Sequence, residues 1–167
     1  MNRPKKKGTA FETCIVRYMQ NALNDKRIER RSLSGAADRG DIYGVYAHGL
    51  EGIVECKNHK KWSKADLRRW MQETLDECAN ADADFALLVV HKDRVGEKNA
   101  GQNLCYINIL HFHKITGREE EPDIPDWWYE GADAIWMMLS LEDACKILKT
   151  PLPQSLNLSS PMRLKKY

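Results

Sequence analysis

One apolar run does most to fix the fold class of this chain. Residues 85–91 read FALLVVH, with no polar side chain before the closing histidine. An unbroken run of this length is typical of a strand buried on both faces, because a strand with one wet face alternates apolar and polar residues. Both faces are covered only when helices lie on each side of the sheet. The run therefore predicts an α/β sandwich.

Two further predicted strands, residues 41–46 and 52–57, are joined by a short turn. Side chains alternate along a strand, so Glu55 and Lys57 point to the same face, about 7 Å apart along the backbone. A hairpin return brings Asp41 next to them. The pattern predicts an acid and a base held side by side on a stiff strand.

Helical spacing and capping residues predict the remaining elements. They are helices over 9–23, 63–78 and 141–149, an edge strand at 27–33, and strands at 104–113 and 134–139. Thr9 and Glu12 have the spacing of a capping box, in which Glu12 caps the first helix. Glu12 also shares a stripe with Ile15 and Met19 and can face inward as a metal-binding carboxylate. The two interpretations compete for one side chain.

Basic residues surround the hairpin in the sequence, although the net charge is only +2. Such patches suit a polyanionic ligand, and a solvated surface is the alternative interpretation of each. Gly and Ser in the loop at 32–40 leave backbone amides open to a phosphate. The candidate phosphate contacts are Ser34 and Arg39 in that loop, and Lys6, Lys7, Arg31, Lys60, Lys61, Lys92 and Arg94 outside it.

The length of 167 residues suits one domain. Its five cysteines are an odd number without a CxxC pair, which argues against a disulfide framework and a zinc site and favours a reducing compartment. No apolar run is long enough for a membrane span, so we expect a cytoplasmic protein without a membrane partner. His111 and His113 share a face of a predicted strand, but no third ligand type lies nearby in sequence.

The carboxylates of Glu12, Asp41 and Glu55 and the amine of Lys57 form the candidate site. Hard oxygen ligands suit Mg²⁺, with Mn²⁺ as a substitute, and such ions also bind substrate phosphates. We expect Asp41 and Glu55 to hold the metal, helped by the backbone carbonyl of Cys56, and Glu12 to bind through water or to a second ion. Lys57 stays cationic and orients a water or stabilises charge on the phosphorane.

The order of Glu12 on a helix, Gly40-Asp41 at a strand start and Glu55-Cys56-Lys57 on the next strand resembles the PD-(D/E)XK nuclease superfamily. The helix opening at 7–12 and the loop at 30–35 are similar to those of archaeal-type Holliday-junction resolvases and related bacteriophage nucleases. The resemblance covers about residues 7–91. It implies a restriction-endonuclease-like core with a mixed central sheet flanked by helices, Mg²⁺-dependent phosphodiester cleavage, and a homodimer on branched DNA.

In domain terms the resemblance implies one nuclease domain over 1–167, with a basic arm at 1–7, a catalytic core at 8–115 and an extended tail at 151–167. The sequence departs from the family pattern at Gly40, where proline is usual, and Asp38 is an alternative ligand close by. Ser32 and Ser34 are both available for the family serine. Gln72, in the helix after Lys57, is similar to a residue of the exonuclease branch.

We therefore predict a structure-selective DNA endonuclease that resolves Holliday junctions or other branched DNA. A nuclease of another specificity, of the exonuclease or restriction type, is the first alternative. A DNA-binding protein without catalysis is the second. The carboxylates argue against this last possibility, because they repel phosphate unless a metal intervenes.

Overall fold

The computed structural model describes residues 3–32, 38–117 and 135–152, and for residues 3–7 it describes the backbone only. Some predictions fall outside these residues. They concern Ser34, the side chains of Lys6 and Lys7, and the tail beyond residue 152.

Within the described residues, six strands form one mixed sheet, in the order in which they follow one another along the chain. They are β1 (Glu29–Arg30), β2 (Ile42–Ala47), β3 (Leu50–Lys57), β4 (Phe85–Val90), β5 (Leu104–Asn108) and β6 (Trp136–Ser140). β3 and β4 run parallel, and every other neighbouring pair is antiparallel. Parallel neighbours need a crossover, which a helix between them supplies.

Helices cover both faces of this sheet. They are α1 (Arg3–Leu23), α2 (Lys64–Asn80), α3 (Ile109–Thr116) and α4 (Leu141–Lys149), with a short 3₁₀ helix at Glu97–Gln102. α1, α3 and α4 contribute to the core on one face, and α2 packs on the other. The predicted α/β fold, with a mixed central sheet flanked by helices, is confirmed and is consistent with a restriction-endonuclease-like core.

β4 shows why the apolar run was informative. All of its residues are buried. Leu87 and Val89 lie in the core beneath α1 and α4, whereas Leu88 and Val90 pack with Trp70 of α2 on the opposite face. A central strand between two helical layers has no wet face, so its sequence cannot alternate.

The first helix begins six residues before the predicted cap, at Arg3. Pro4 is compatible with this start, because the first turn of a helix leaves backbone N–H groups without intrahelical partners. Thr9 therefore lies inside α1, and its carbonyl accepts a hydrogen bond of 2.8 Å from the Thr13 hydroxyl. The capping box expected for Thr9 and Glu12 is wrong, and residues 3–7 of the expected arm are helical.

The predicted strand at 104–113 is wrong beyond Asn108. The Asn108 side chain accepts a hydrogen bond of 2.9 Å from the Leu110 N–H, and this cap starts α3. His111 and His113 therefore belong to a helix and do not share a strand face. His111 accepts a hydrogen bond of 3.2 Å from the Ala86 N–H, which gives it a place in the packing of α3 on β4.

The other predicted elements are confirmed within a few residues of their bounds. Ser63 and Asp66 form a capping box at the start of α2. Ser140 caps α4, accepting a hydrogen bond of 3.0 Å from the Asp143 N–H. Within the described ranges, no helix is both long and apolar enough to cross a membrane.

Candidate active site

The β2–β3 hairpin brings Asp41 and Glu55 together, as the sequence predicts. Antiparallel pairing sets Ile42 opposite Val54, so Asp41 reaches the end of β3. The Cys56 N–H donates a hydrogen bond of 2.9 Å to Oδ2 of Asp41. The Asp41 carboxyl also contacts that of Glu55, whose side chain is buried. Two acids therefore share one small space at the edge of the sheet.

Lys57 is held between two carboxylates. Its Nζ atom lies 2.8 Å from Oε1 of Glu55 and 2.8 Å from Oε2 of Glu73 on α2. Burial lowers the pKa of Lys57, but the contacts with Glu55 and Glu73 outweigh it and raise the pKa above its ordinary value. Lys57 therefore keeps its positive charge in a fixed position at neutral pH.

α2 adds two acids that the sequence analysis missed, Glu73 and Glu77. Glu77 is buried against Glu55, and among the described residues its Oε2 atom has no hydrogen-bond donor. A signal was available, because Glu77 falls at helical spacing from the buried Trp70 and Thr74 and so belongs to the inward face of α2.

Gln72, the residue singled out on this helix, donates instead to Oδ1 of Asp76 at 2.9 Å, one turn along α2. Its neighbour Glu73 is the residue that reaches Lys57. The structure thus places Gln72 in a contact within its own helix.

The acids of the cluster are hard to ionise together. Burial and the charge of Glu55 raise the pKa of Asp41 to about 8. Burial and the charge of Glu77 raise the pKa of Glu55 to about 8, and burial raises that of Glu77 to about 7. Like charges at close range in a dry site disfavour full ionisation. The cluster therefore retains protons near neutral pH unless another positive charge joins it.

Glu12 approaches the cluster from α1. Its Oε2 atom lies 3.3 Å from Nη1 of Arg30, and its charge contributes to the raised pKa of Asp41. The structure thus sets Glu12 beside Asp41, paired with a cation, whereas Glu77 on α2 contacts Glu55.

The backbone conformation at Gly40 explains why glycine, and not the proline usual in the family, precedes Asp41. Its φ is +81°, and a Cβ atom there would lie 2.7 Å from Cδ1 of Ile53. Proline fixes φ near −65° and does not fit this conformation. Asp38, the alternative ligand, is exposed, and its carbonyl accepts a hydrogen bond of 2.8 Å from Asn80. Its charge raises the pKa of Glu77, so it lies toward the α2 side of the site.

Most of the basic candidates lie at the same edge of the sheet. Lys60 and Lys61 follow β3, and Lys92 and Arg94 follow β4, which is parallel to it. Arg39 precedes β2, whose start is paired with the end of β3. All of these side chains are exposed.

Arg31 lies beside the start of β2. Its guanidinium lies 5.0 Å from the centre of the Tyr43 ring, and its backbone N–H donates to the Asp41 carbonyl at 2.7 Å. The side chain of Arg31 is thus engaged with an aromatic ring while its backbone helps to fix Asp41.

The donor set suits a hard divalent cation, although in the described part of the chain no group of three or more His, Cys, Asp or Glu side chains is already arranged to hold one. Asp41, Glu55 and Glu77 offer only oxygen atoms, which are the ligands that Mg²⁺ and Mn²⁺ prefer. The buried Oε2 of Glu77 lacks a donor in the part of the chain that the structure describes, and a cation would satisfy it. The chemistry of these residues therefore fits a metal of this class.

Comparison with known proteins gives one match. The model of a family described as "Phage putative PDDEXK endonuclease" matches residues 3–114. No curated protein and no solved structure matches the chain. The matched range is more than half of the chain and includes Glu12, Asp41, Glu55, Lys57 and all of α2. The cluster at the edge of the sheet thus lies within the matched range, and the chain belongs to this phage family of the PD-(D/E)XK nuclease superfamily.

Proposed function

We propose that the protein is a Mg²⁺-dependent, structure-selective DNA endonuclease that resolves Holliday junctions or other branched DNA, in the cytoplasm of the host cell. One observation carries the proposal. The acids Asp41 and Glu55 share a buried space next to Lys57, whose positive charge is fixed by two carboxylates. Oxygen ligands beside a fixed cation are what metal-assisted phosphodiester hydrolysis requires.

Asp41, Glu55 and Glu77 are the residues that would hold the metal, with the carbonyl of Cys56 and the carboxylate of Glu12 as further ligands. When bound, Mg²⁺ (or Mn²⁺ in its place) polarises the phosphate and supplies the positive charge that the cluster lacks. The Cys56 N–H holds one oxygen of Asp41, which fixes the direction of the other. This backbone contact orients the carboxylate before any substrate arrives.

Lys57 acts on the phosphate and the attacking water. An ammonium group donates up to three hydrogen bonds, and Glu55 and Glu73 receive two of them. The remaining proton can point at a phosphate oxygen or at the water. A donor that is already in place stabilises the charge that grows on the phosphate without a cost of reorganisation.

The basic residues at this edge are proposed to bind the DNA backbone. Arg39, Lys60, Lys61, Lys92 and Arg94 are exposed there, and Arg31, Ser34, Lys6 and Lys7 complete the proposed set. Phosphate contacts of this kind fix position without reading sequence. Two copies in a homodimer would present two such sites to the arms of one branched DNA.

The decisive experiment uses an immobile four-way junction and a linear duplex with the same arm sequences, each with Mg²⁺ and with EDTA. Symmetric Mg²⁺-dependent nicks near the branch point, with the duplex spared, are expected. Equal cutting of both DNAs would keep the nuclease and remove the junction selectivity. Stepwise loss from duplex ends would favour an exonuclease, and binding without any cutting would favour a non-catalytic DNA-binding protein.

Lys57→Ala tests the role of the lysine. We expect cleavage to fall by about 10²-fold or more, as when a donor to a developing anion is removed, with DNA affinity largely kept. Lys149→Ala, at an exposed position of α4 away from the cluster, is the matched control and should cleave normally. Retained cleavage by Lys57→Ala would refute the assigned role.

A further inference from the structure

A cavity of about 580 Å³ opens next to the candidate active site. Its walls come from α1, the segment after β3 and the loop after β4, and they include Phe11, Trp62, His91, Val95 and Leu104. The volume falls within the range of about 300–1,000 Å³ that is usual for sites that enclose small organic groups. The cavity is therefore large enough for a single nucleotide unit.

Two residues that line the cavity are the direct sequence neighbours of residues in the cluster. Asn58, which lines it, directly follows Lys57, and Phe11, which also lines it, directly precedes Glu12. The His91 N–H donates a hydrogen bond of 2.9 Å to the Lys57 carbonyl, so this wall is tied to the end of β3. A DNA strand with its phosphate at the carboxylates would therefore pass close to this wall of the cavity.

Aromatic rings form part of its walls. The rings of Phe11 and His91 meet edge to face with centroids 5.4 Å apart. Trp62 also lines the cavity, and its ring packs near that of Trp70, with 6.1 Å between centroids. Rings that are braced by packing offer flat, apolar surfaces at little entropic cost, and these surfaces suit a planar ligand.

The mouth carries charges of both signs. Lys60 and Lys92 line it and are exposed. Asp93 and Glu97 also line it, and the Asp93 carboxylate lies 3.6 Å from the guanidinium of Arg94. A planar, uncharged group inside with phosphates outside, near the lysines, matches this distribution better than a compact anion deep in the cavity.

We propose that this cavity receives an unpaired nucleobase of the DNA substrate, which stacks against Trp62 while Lys60 and Lys92 contact the flanking phosphates. The inference rests on the proposed nuclease site and names the substrate class of that site. Every base has a π face, so such a cavity accepts bases without regard to sequence. A base in an intact duplex is stacked and paired, and only an unpaired or extruded base can enter. Selectivity for branched or distorted DNA follows.

The first test measures affinity and needs no cleavage. Wild-type protein in EDTA is titrated with three labelled DNAs: a paired duplex, the same duplex with a one-nucleotide bulge, and that bulge with an abasic residue. Stacking on an aromatic ring predicts that the base-containing bulge binds about 5- to 150-fold more tightly than the abasic bulge. Equal affinities for the two bulges would overturn the proposal.

Gly96→Trp fills the cavity. Gly96 lines it with φ −90°, and a Cβ atom there meets nothing within 4 Å, so the backbone accepts a side chain. The variant should lower affinity for the base-containing bulge to the abasic level. Ala79→Trp adds the same ring at an exposed position of α2 and should keep the discrimination. Unchanged discrimination in Gly96→Trp would refute the site.

Two further measurements keep the base site testable if Gly96→Trp is unfolded and distinguish its failure from that of the nuclease. If thermal denaturation shows that Gly96→Trp does not fold, Trp62→Ala removes the stacking wall and must reduce the discrimination between the two bulges.

The proposed base site and the proposed nuclease activity can be refuted independently of each other. Mg²⁺-dependent cleavage that is lost in Lys57→Ala, with equal affinity for the two bulges, keeps the nuclease and removes the base site. Base-dependent binding with no cleavage in Mg²⁺ would keep the base site and remove the nuclease.

Discussion

Asp41 and Asp84 occupy equivalent places at opposite ends of β3, yet the pKa values of their carboxyl groups move in opposite directions. Each residue directly precedes a strand, β2 for Asp41 and β4 for Asp84. Each accepts a hydrogen bond from a backbone N–H of β3, at 2.9 Å from Cys56 and at 3.0 Å from Glu51. The two acids therefore have equivalent hydrogen bonds with the backbone of β3.

Burial and the neighbouring charged side chains decide the difference. Partial burial raises the pKa of Asp84, but Lys114, with its Nζ 2.7 Å away, and the Glu51 N–H outweigh it and lower the pKa. Deeper burial and the charge of Glu55 raise the pKa of Asp41 to about 8. An acid with its own cation stabilises the fold, whereas a buried acid among acids marks a place where a cation is still to be bound.

The largest expected effect comes from the pair Asp41→Asn and Asp84→Asn. Asp41→Asn should reduce cleavage by about 10²-fold or more, because it removes a proposed metal ligand. In EDTA at pH 8 it should raise stability by about 1 kcal/mol, which is about 2–4 °C in Tm, because repulsion among the carboxylates falls.

Asp84→Asn should keep cleavage and lose about 0.5–1 kcal/mol, the value of a solvent-screened ion pair. Thermal denaturation and a gel assay of both variants measure these effects. Stability changes of the same sign in the two variants would break the comparison.

Mg²⁺ binding should offset the repulsion among the carboxylates at the Asp41 end of β3. An ion bound only by the folded state raises stability by about 2.7 kcal/mol at a hundredfold excess over its Kd. Thermal denaturation with and without Mg²⁺ should show an increase in Tm for wild type and for Asp84→Asn. Asp41→Asn should respond much less, and an equal response there would place the ion elsewhere.

The pH dependence of stability should distinguish the two ends. Asp41 and Glu55 titrate near 8 in the folded state, and their ordinary values are 3.8 and 4.5. Between these limits the folded state binds more protons than the unfolded state, so stability falls as pH rises. Metal-free wild type should be more stable at pH 5.5 than at pH 8. Asp41→Asn should reduce this dependence of the unfolding free energy on pH, and Asp84→Asn should leave it unchanged. Urea titrations in EDTA measure the dependence, and a stability of wild type that rises with pH would show that the assignment is wrong.

A last prediction concerns the residue before Asp41, Gly40, and affects stability alone. Gly40→Ala should cost about 1–2 kcal/mol, because φ is +81° and the new methyl group approaches Ile53. The control Gly96→Ala has φ −90° and open space, so it should be neutral or stabilise by about 0.4–1 kcal/mol. Urea denaturation of both variants measures the difference, and a neutral Gly40→Ala would contradict it.

The sequence predicts the parts of the site that depend on neighbouring strands. Alternation along β3 places Glu55 and Lys57 on one face, and the hairpin register then brings Asp41 to them. The capping residues Ser63 and Ser140 mark their helices because a cap is a local contact. These features need no knowledge of the remainder of the fold.

Features that depend on distant packing were missed. The spacing of Glu77 indicates the inward face of α2, but its contact with Glu55 depends on the docking of α2 over β3. Asn108 looked like a strand residue until its side chain capped α3. The basic and acidic patches could be named from the sequence, but the parallel pairing of β3 and β4 is what places Lys60 and Lys92 at one edge.

The agreement between sheet order and chain order bears on how the protein is made. Each strand pairs with the strand that precedes it in the chain, so the sheet can grow one strand at a time as the chain leaves the ribosome. Asp41, Glu55, Lys57, Glu73 and Glu77 all precede Phe85, where β4 begins. The acid cluster can therefore assemble once β4 has emerged. The helices α3 and α4, which are synthesised later, complete the core on the face that α1 also covers.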